Sequence, residues 1–452
     1  MILLALLACQ PGPSPLMNLR VEENPNSVIA PLVRWTTSEP GSSWVVYSDG
    51  ARSWRVGSDA LVTEHQVALV GMVADTAWSV VASSDYADGA HVSAHPLPWQ
   101  TPPLPFDAPT LTVGRAVPER TEPGWTLMNL GLNHFLVSPS IAIMVDPAGR
   151  IVWYRDLGPE TGAAVVEAQW CGDRVSIGGY VAPGVAPVEV DLSGEVLWEG
   201  WVQPQGLLDT DTMHHTLQCP QGGERLSLFY DTPNAVAVDV VMALDDQAGR
   251  AWVWNAGEHI PEAAEEHIHL NMVVGSPDAV WVNSLLLRQL FKVDRQTGEV
   301  LWRLGEGGDF ELTEGSWFQG AHGTEWVDPT HVLMYENAGV IDENDPSRPY
   351  SRAVEYQVDE AAMTARQVWA WPDEPEEGSV DFWHNWIWGD ADRLANGNTL
   401  INAGSMAPQD SPSRILEVSP AGEVVWELFF PEGEPPSGSY AAQRVPAFAE
   451  EL

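Results

Sequence analysis

The chain has 452 residues, enough for two or three domains with sizeable cores. Apolar residues make up 44%, as in ordinary globular proteins, but 63 Asp and Glu stand against 21 Lys and Arg, with Lys292 as the single lysine and a formal net charge of −42. That balance argues against a nucleic-acid partner, whose phosphates demand a basic surface, and against electrostatic docking to anionic lipid; it reads as the solvated acidic surface of a GC-rich or salt-adapted genome.

Residues 1–17 open with Met-Ile-Leu-Leu-Ala-Leu-Leu-Ala-Cys. This apolar run is far shorter than the ~20 residues that span a bilayer. Its end, Leu6-Leu7-Ala8-Cys9, resembles a bacterial lipobox, in which the cysteine is lipidated and becomes the mature N-terminus. No Lys or Arg precedes the run, so a mis-called start codon is the alternative. Residues 10–17 then form a tether rich in proline. On the lipobox reading the protein is exported, periplasmic or anchored to the outer membrane, and meets the membrane only through its lipid.

Residues 18–98 carry short alternating runs between turn residues, such as Pro31–Thr37, Ser43–Tyr47, Gln66–Gly71 and Trp78–Ala82. About seven short strands at this spacing read as a β-sandwich. The stretch resembles a fibronectin type III module, with Trp35 where such modules bury a tryptophan and Trp78 where they often carry a tyrosine. Residues 99–109 belong to a proline-rich segment that predicts an extended linker.

Residues 110–452 contain a repeat of apolar-x-apolar-Asp, a turn, Gly, and a strand ending in Trp. It runs Ala142–Trp153, Val188–Trp198, Met242–Trp254, Phe291–Trp302, a degenerate Tyr356–Trp369, and Leu416–Trp426. Each unit predicts a hairpin whose Trp packs between sheets. The gaps match a blade of ~40–50 residues plus a loop, so the expectation is an all-β chain with a six-bladed β-propeller after the sandwich. Cys171 and Cys219 occupy similar places in adjacent repeats, which allows a disulfide but equally two separate buried thiols.

Histidines recur in phase with the repeat, just before or within the expected innermost strands: His214 and His215, His267 and His269, His322, and His384. They are expected to converge on one end of the channel. Strand alternation predicts that His214 and His215 do not both point inward, and that His267, His269 and Asn271 share a face. Imidazole serves as nucleophile, acid–base group or metal ligand. The spacing lacks His-x-x-x-His and Cys-x-x-Cys, so no metal ligand set is assigned. A Ser elbow, a phosphate-cradling loop and a dinucleotide fingerprint are likewise missing from the sequence.

Residues 110–445 resemble the bacterial arylsulfate sulfotransferase family. The resemblance rests on Pro123–Met128 with Ile141–Trp153, on His269-Leu-Asn271, on Phe291–Gly305, and on His322 with Tyr335–Gly339. It closes on Arg393–Leu400 and Ser439–Pro446. It implies sulfuryl transfer from a phenolic sulfate donor to a phenol acceptor through a sulfohistidine, with no nucleotide donor and no cofactor. By motif the nucleophile is His322, with His215 and His269 as catalytic partners and Asn271 on the substrate. The family's arginine falls at Leu285, so either Arg288 or Arg393 substitutes for it, or the protein has another substrate, or it is catalytically dead. A non-catalytic surface propeller that binds a ligand or protein is the other reading.

Overall fold

The computed structural model describes residues 16–131, 141–157, 167–178, 186–201, 212–231, 237–337, 349–379, 381, 383–385, 387–404, 413–431 and 438–452. Cys9 lies outside the described residues. The chain divides into two compact units, residues 1–107 with 447–452, and residues 108–446.

In the first unit seven strands join in one hydrogen-bonded network. Its backbone is two long strands, Leu32–Ser48 and Ser53–Ala68, which pair antiparallel with register shifts between Thr36 and Ser43. Alternate residues Val33, Trp35, Val45, Tyr47, Val67, Trp78 and Val80 bury into one cluster. Trp35 lies flat on His65, with ring centroids 4.7 Å apart, and donates its indole N–H to Ser84 Oγ. Both ends of this unit differ from expectation. Residues 97–100, which overlap the expected linker, are a strand, because Trp99 pairs with Trp78 and packs on the cluster. The last residues, expected within the propeller, return here: Glu450–Glu451 pairs with Trp54 and Arg55, and Ala449 is buried in the same cluster.

The second unit is a six-bladed β-propeller. Its innermost strands are Glu167–Trp170, Met213–Leu217, Leu270–Gly275, Ala321–Asp328, Asp390–Arg393 and Ala442–Val445. Both termini of the unit close the ring. Ala442–Val445 is the innermost strand of the blade that Trp125–Leu130 continues, and Thr112–Ala116 is the outermost strand of the blade that ends in Val424–Phe429. A buried ion pair, Arg444 Nη2 to Glu417 Oε2 at 2.9 Å, joins the same two blades.

The repeated residues do two jobs. The Asp side chain caps its own turn: Asp146 Oδ1 accepts from the backbone N–H of Ala148 and Arg150, and Asp191 and Asp245 repeat the pattern. Gly149, Gly194, Gly298 and Gly422 take the left-handed conformation of that turn, a role Ala248 fills in the third repeat. In all but the fourth repeat, where the Trp302 indole N–H has no hydrogen-bond partner among the described residues, a Trp then ties its blade to the next. Trp153, Trp198, Trp254 and Trp426 donate their indole N–H to backbone carbonyls of Leu192, Asp245, Gly298 and Pro147 in the following blade's turn. In the fifth blade Trp371, not the expected Trp369, donates to Gly422. A one-residue bulge precedes the Trp369 position and its equivalent in every blade, and the third and fifth blades use the Trp two residues beyond that position, Trp254 and Trp371.

Trp153 is fully buried. Trp153→Ala is expected to cost about 3–5 kcal/mol in equilibrium denaturation of the full chain. A loss below about 1 kcal/mol would mean that the indole does not lock neighbouring blades. Cys171 and Cys219 form a disulfide with Cα atoms 5.4 Å apart, joining the ends of the second and third innermost strands.

Candidate active site

The starts of the innermost strands bring His215, His269, His322 and Tyr440 together at one end of the channel. Ring centroids lie 5.0 Å apart for His215 and His269, 6.4 Å for His215 and His322, and 6.1 Å from Tyr440 to each of His215 and His322. His215 and His322 are 4% and 2% exposed. His215 Nε2 and His269 Nε2 are 3.2 Å apart, within hydrogen-bond reach.

The backbone bends to achieve this. His215 and His269 hold φ of 63° and 53°, in the left-handed region that side chains rarely adopt. Strict alternation therefore fails at His214–His215. Both rings are buried, and their Nδ1 atoms lie 2.7 Å apart. Strained backbone of this kind persists only where its surroundings over-determine it.

His322 is held by a residue that sequence reasoning did not single out. Asn337 donates its side-chain NH₂ to the carbonyls of Asn385, at 3.1 Å, and Trp388, at 2.7 Å. Its Oδ1 must then face His322 Nδ1, 2.6 Å away. A carbonyl oxygen only accepts, so Nδ1 carries the proton and Nε2 keeps its lone pair. Tyr440 was quoted only within a motif. Asn129 Oδ1 accepts from its backbone N–H at 2.6 Å, and its hydroxyl reaches the Asn271 carbonyl at 3.4 Å. Both placements depend on partners from other blades, which no local pattern signals.

Two expected substrate contacts fall elsewhere. Asn271 Nδ2 donates to the Ala321 carbonyl at 2.7 Å, and its Oδ1 accepts from Asn283. That amide is spent on the neighbouring blade and fixes the residue beside His322. Arg393 pairs with Glu355 and donates to the Gly397 carbonyl at 3.1 Å, so its guanidinium is held by the fifth and sixth blades rather than by the histidines. Arg288 sits in the turn 285–288 at φ 56°. In the same turn Leu285 is buried, and its N–H donates to the His269 carbonyl at 3.0 Å.

Burial holds all of these imidazoles neutral near pH 7. It pushes His322 down to about 4 and His269 to about 3. His214 and His215 are driven well below the usual range, first by burial and then by neighbouring histidines. A neutral imidazole with a fixed Nδ1–H and an exposed lone pair is a nucleophile at neutral pH; its neutral neighbours can take and give protons. Among the described residues no cluster of three or more His, Cys, Asp or Glu is arranged to hold a metal ion.

The family model for arylsulfotransferase (ASST) matches residues 112–440. The chain belongs to the arylsulfotransferase family. This family is one of sulfotransferase enzymes, and membership implies a phenolic sulfate donor and a phenolic acceptor in general terms. No curated protein matches the chain. Among solved structures, the β-propeller domain of Myceliophteria thermophila Cps50 (Swd1) is similar at 12% identity and TM-score 0.39, over 72% of this chain and 91% of that one. The Dos1 propeller is similar at 10% identity and TM-score 0.35, over 93% and 96%.

Further along the channel, Glu167, Glu325, Asp390 and Asp392 line a cavity of 280 Å³ together with Gln169, Gln218 and Gln443. Burial raises Glu167 to about 7 and Asp390 to about 8, and Asp392 well above the carboxylate range; the mutual repulsion of their charges adds to the shift of the two aspartates. These groups set a pH dependence of stability. The depressed histidines contribute stability above the unfolded value of ~6.5 and lose it as pH falls toward about 4. The raised acids contribute fully below ~4 and lose it as pH rises through about 7–8. Between about pH 4 and 6.5 the two classes oppose each other. Above about 6.5 only the acids still act, so the melting temperature of the protein is expected to fall from pH 6.5 to 8. Asp392→Asn, which cannot ionise, should weaken that fall; an unchanged slope in the variant would exclude Asp392 as a source of it.

Proposed function

We propose that this arylsulfotransferase moves a sulfuryl group from a phenolic sulfate ester to a phenol by way of a sulfohistidine at His322. The observation that carries the reading is the Asn337–His322 hydrogen bond, which leaves the Nε2 lone pair of a buried neutral imidazole beside His215 and Tyr440. In the first half-reaction His322 Nε2 bonds to sulfur as the aryl oxygen leaves, and the leaving phenolate takes a proton from His215. In the second, the acceptor phenol gives its proton back and its oxygen displaces the imidazole. His269, in hydrogen-bond reach of His215, assists the proton transfers. Asn271 positions the strand that carries His322.

The test is nitrophenol release from 4-nitrophenyl sulfate with and without added phenol. Phenol-stimulated release with formation of phenyl sulfate is the expected result. No release with any of several phenolic acceptors would overturn the reading. It would favour a propeller that binds without turnover, which the buried Leu285 in the arginine's place supports.

The surroundings of the enzyme follow the same proposal. The disulfide Cys171–Cys219 fits an oxidising compartment, in keeping with export and lipidation at Cys9. The two long strands of the first unit, each interrupted midway, fit a fibronectin type III-like sandwich.

A further inference from the structure

Asp239 is a fully buried carboxyl, on the strand Val238–Leu244, to which the transfer scheme gives no task. Its Oδ1 lies 3.3 Å from His214 Nε2 and its Oδ2 lies 3.6 Å from His267 Nδ1. Neither of its carboxyl oxygens has a hydrogen-bond partner among the described residues, although the backbone of His269 and Leu270 lies close enough to favour its charge. Tyr230 stacks on the His214 ring at 3.9 Å and meets His267 at 5.7 Å; Asp239 and His214 are fully buried, whereas His267 is 29% exposed.

The line of contacts does not stop at His214. His214 Nδ1 is 2.7 Å from His215 Nδ1, and His215 Nε2 looks into the site beside His269 Nε2. Carboxyl, imidazole and imidazole therefore form one row, hydrogen-bonded between the two rings and closed at Asp239 by a 3.3 Å approach to His214 Nε2 that leaves Asp239 Oδ1 with no hydrogen-bond partner among the described residues; the row starts in the blade's interior and ends opposite His322. The positive φ at His215 is what lets two consecutive rings join the row. A strand in regular alternation would have sent one of them to the other face.

Resting on the His322 reading, we propose that Asp239, His214 and His215 form a proton relay, in which Asp239 stores the proton that the leaving phenolate takes and the acceptor phenol returns.

At rest burial keeps Asp239 protonated, with its carboxyl raised to about 8, and both imidazoles neutral. The Asp239 O–H then faces His214 Nε2, His214 Nδ1–H donates to His215 Nδ1, and His215 Nε2–H faces the substrate. When the aryl O–S bond breaks and the His322 N–S bond forms, the phenolate oxygen takes the His215 Nε2 proton. The His214 Nδ1 proton moves to His215 Nδ1, and the Asp239 proton moves to His214 Nε2. Asp239 is left as a carboxylate, and His322 carries a sulfuryl group on an imidazolium, so total charge is unchanged. His215 Nε2 is now a lone pair, which is the base the acceptor phenol needs. The second half-reaction runs every shift backwards. One stored proton thus converts His215 from acid to base and back without exchange with solvent. The 3.3 Å step at Asp239 is long for transfer, and contacts of this kind tighten in the reacting complex.

A purely structural Asp239 would anchor the His269–Leu270 backbone and nothing more. The two roles separate by leaving group. Nitrophenolate is a weak base and departs without a proton, whereas phenolate needs one. In the full-length protein, Asp239→Asn keeps the shape but cannot release a proton. Its kcat/KM is expected to fall about 10²–10⁴-fold with phenyl sulfate but less than about tenfold with 4-nitrophenyl sulfate, because general acid catalysis matters only for the first. The basic limb of the wild-type pH profile, set by the stored proton, should also disappear. His214→Phe, which keeps a ring against Tyr230 but breaks the row, should give the same selective loss, and it decides the matter if Asp239→Asn does not fold. Equal losses with both donors, or no loss with either, would overturn the relay while leaving sulfuryl transfer intact. A wild-type protein inert toward both donors would overturn the transfer reading and the relay with it.

Discussion

His322→Gln is expected to abolish phenol-stimulated nitrophenol release, with a loss of about 10⁴–10⁶-fold, because a nucleophile that forms a covalent intermediate has no substitute. Glutamine fills most of the space and can still meet Asn337, so the change should not open a large cavity in a residue that is 2% exposed. Its amide nitrogen has no lone pair available to attack sulfur. Intact-mass measurement after a donor pulse without acceptor should find one added sulfuryl group on the wild-type chain and none on the variant. His215→Gln should behave differently. It removes proton transfer but not the nucleophile, so the expected loss is about 10²–10⁴-fold and the sulfuryl adduct should still form from 4-nitrophenyl sulfate. If His322→Gln turns over at the wild-type rate, His322 is not the group that is sulfated.

Much of this architecture is written in local pattern. Each Asp–turn–Gly–Trp unit can be read alone, because a side chain capping its own turn and a glycine at positive φ need no distant partner. The phase of His215, His269 and His322 with that repeat was enough to bring them to one end of the channel. What escaped the sequence depends on backbone conformation and on pairings between strands and blades that no local pattern fixes. The left-handed backbone at His215 overrides alternation, and nothing about a His-His dipeptide announces it. Asp239 within a strand and Asn337 just after one look ordinary until the folded blade brings His214 and His322 beside them. Arg393 stood near the right motif, yet Glu355 on the adjacent blade claims it. In the fifth blade the indole that reaches the next turn is Trp371, two residues beyond Trp369 on the same face, as Trp254 is two beyond Trp252 in the third. At the C-terminus, pairing with Trp54 and Arg55 takes the last strand out of the propeller.

Asn337→Leu should cost activity about as heavily as loss of a tautomer-setting partner does elsewhere, on the order of 10³–10⁴-fold in kcat. The reasoning starts from what the amide can do. Its NH₂ is committed to two backbone carbonyls, so its oxygen is the only atom left for His322 Nδ1. Leucine removes that acceptor. The proton on His322 is then free to sit on Nε2, and the lone pair turns away from sulfur. Asn337→Asp separates this effect from damage to the fold. A carboxylate still accepts from Nδ1–H, but its second oxygen meets the Asn385 and Trp388 carbonyls and loses both hydrogen bonds. Both variants should therefore melt earlier than wild type, whereas only the leucine variant should lose the tautomer. Per folded molecule, the aspartate variant is expected to be at least about tenfold faster than the leucine variant, because only it keeps the proton on Nδ1. Its acid limb should also move up from about 4, since a negative charge beside His322 favours the imidazolium. Equal rates in the two variants would reduce Asn337 to a structural clamp between the fifth and sixth blades.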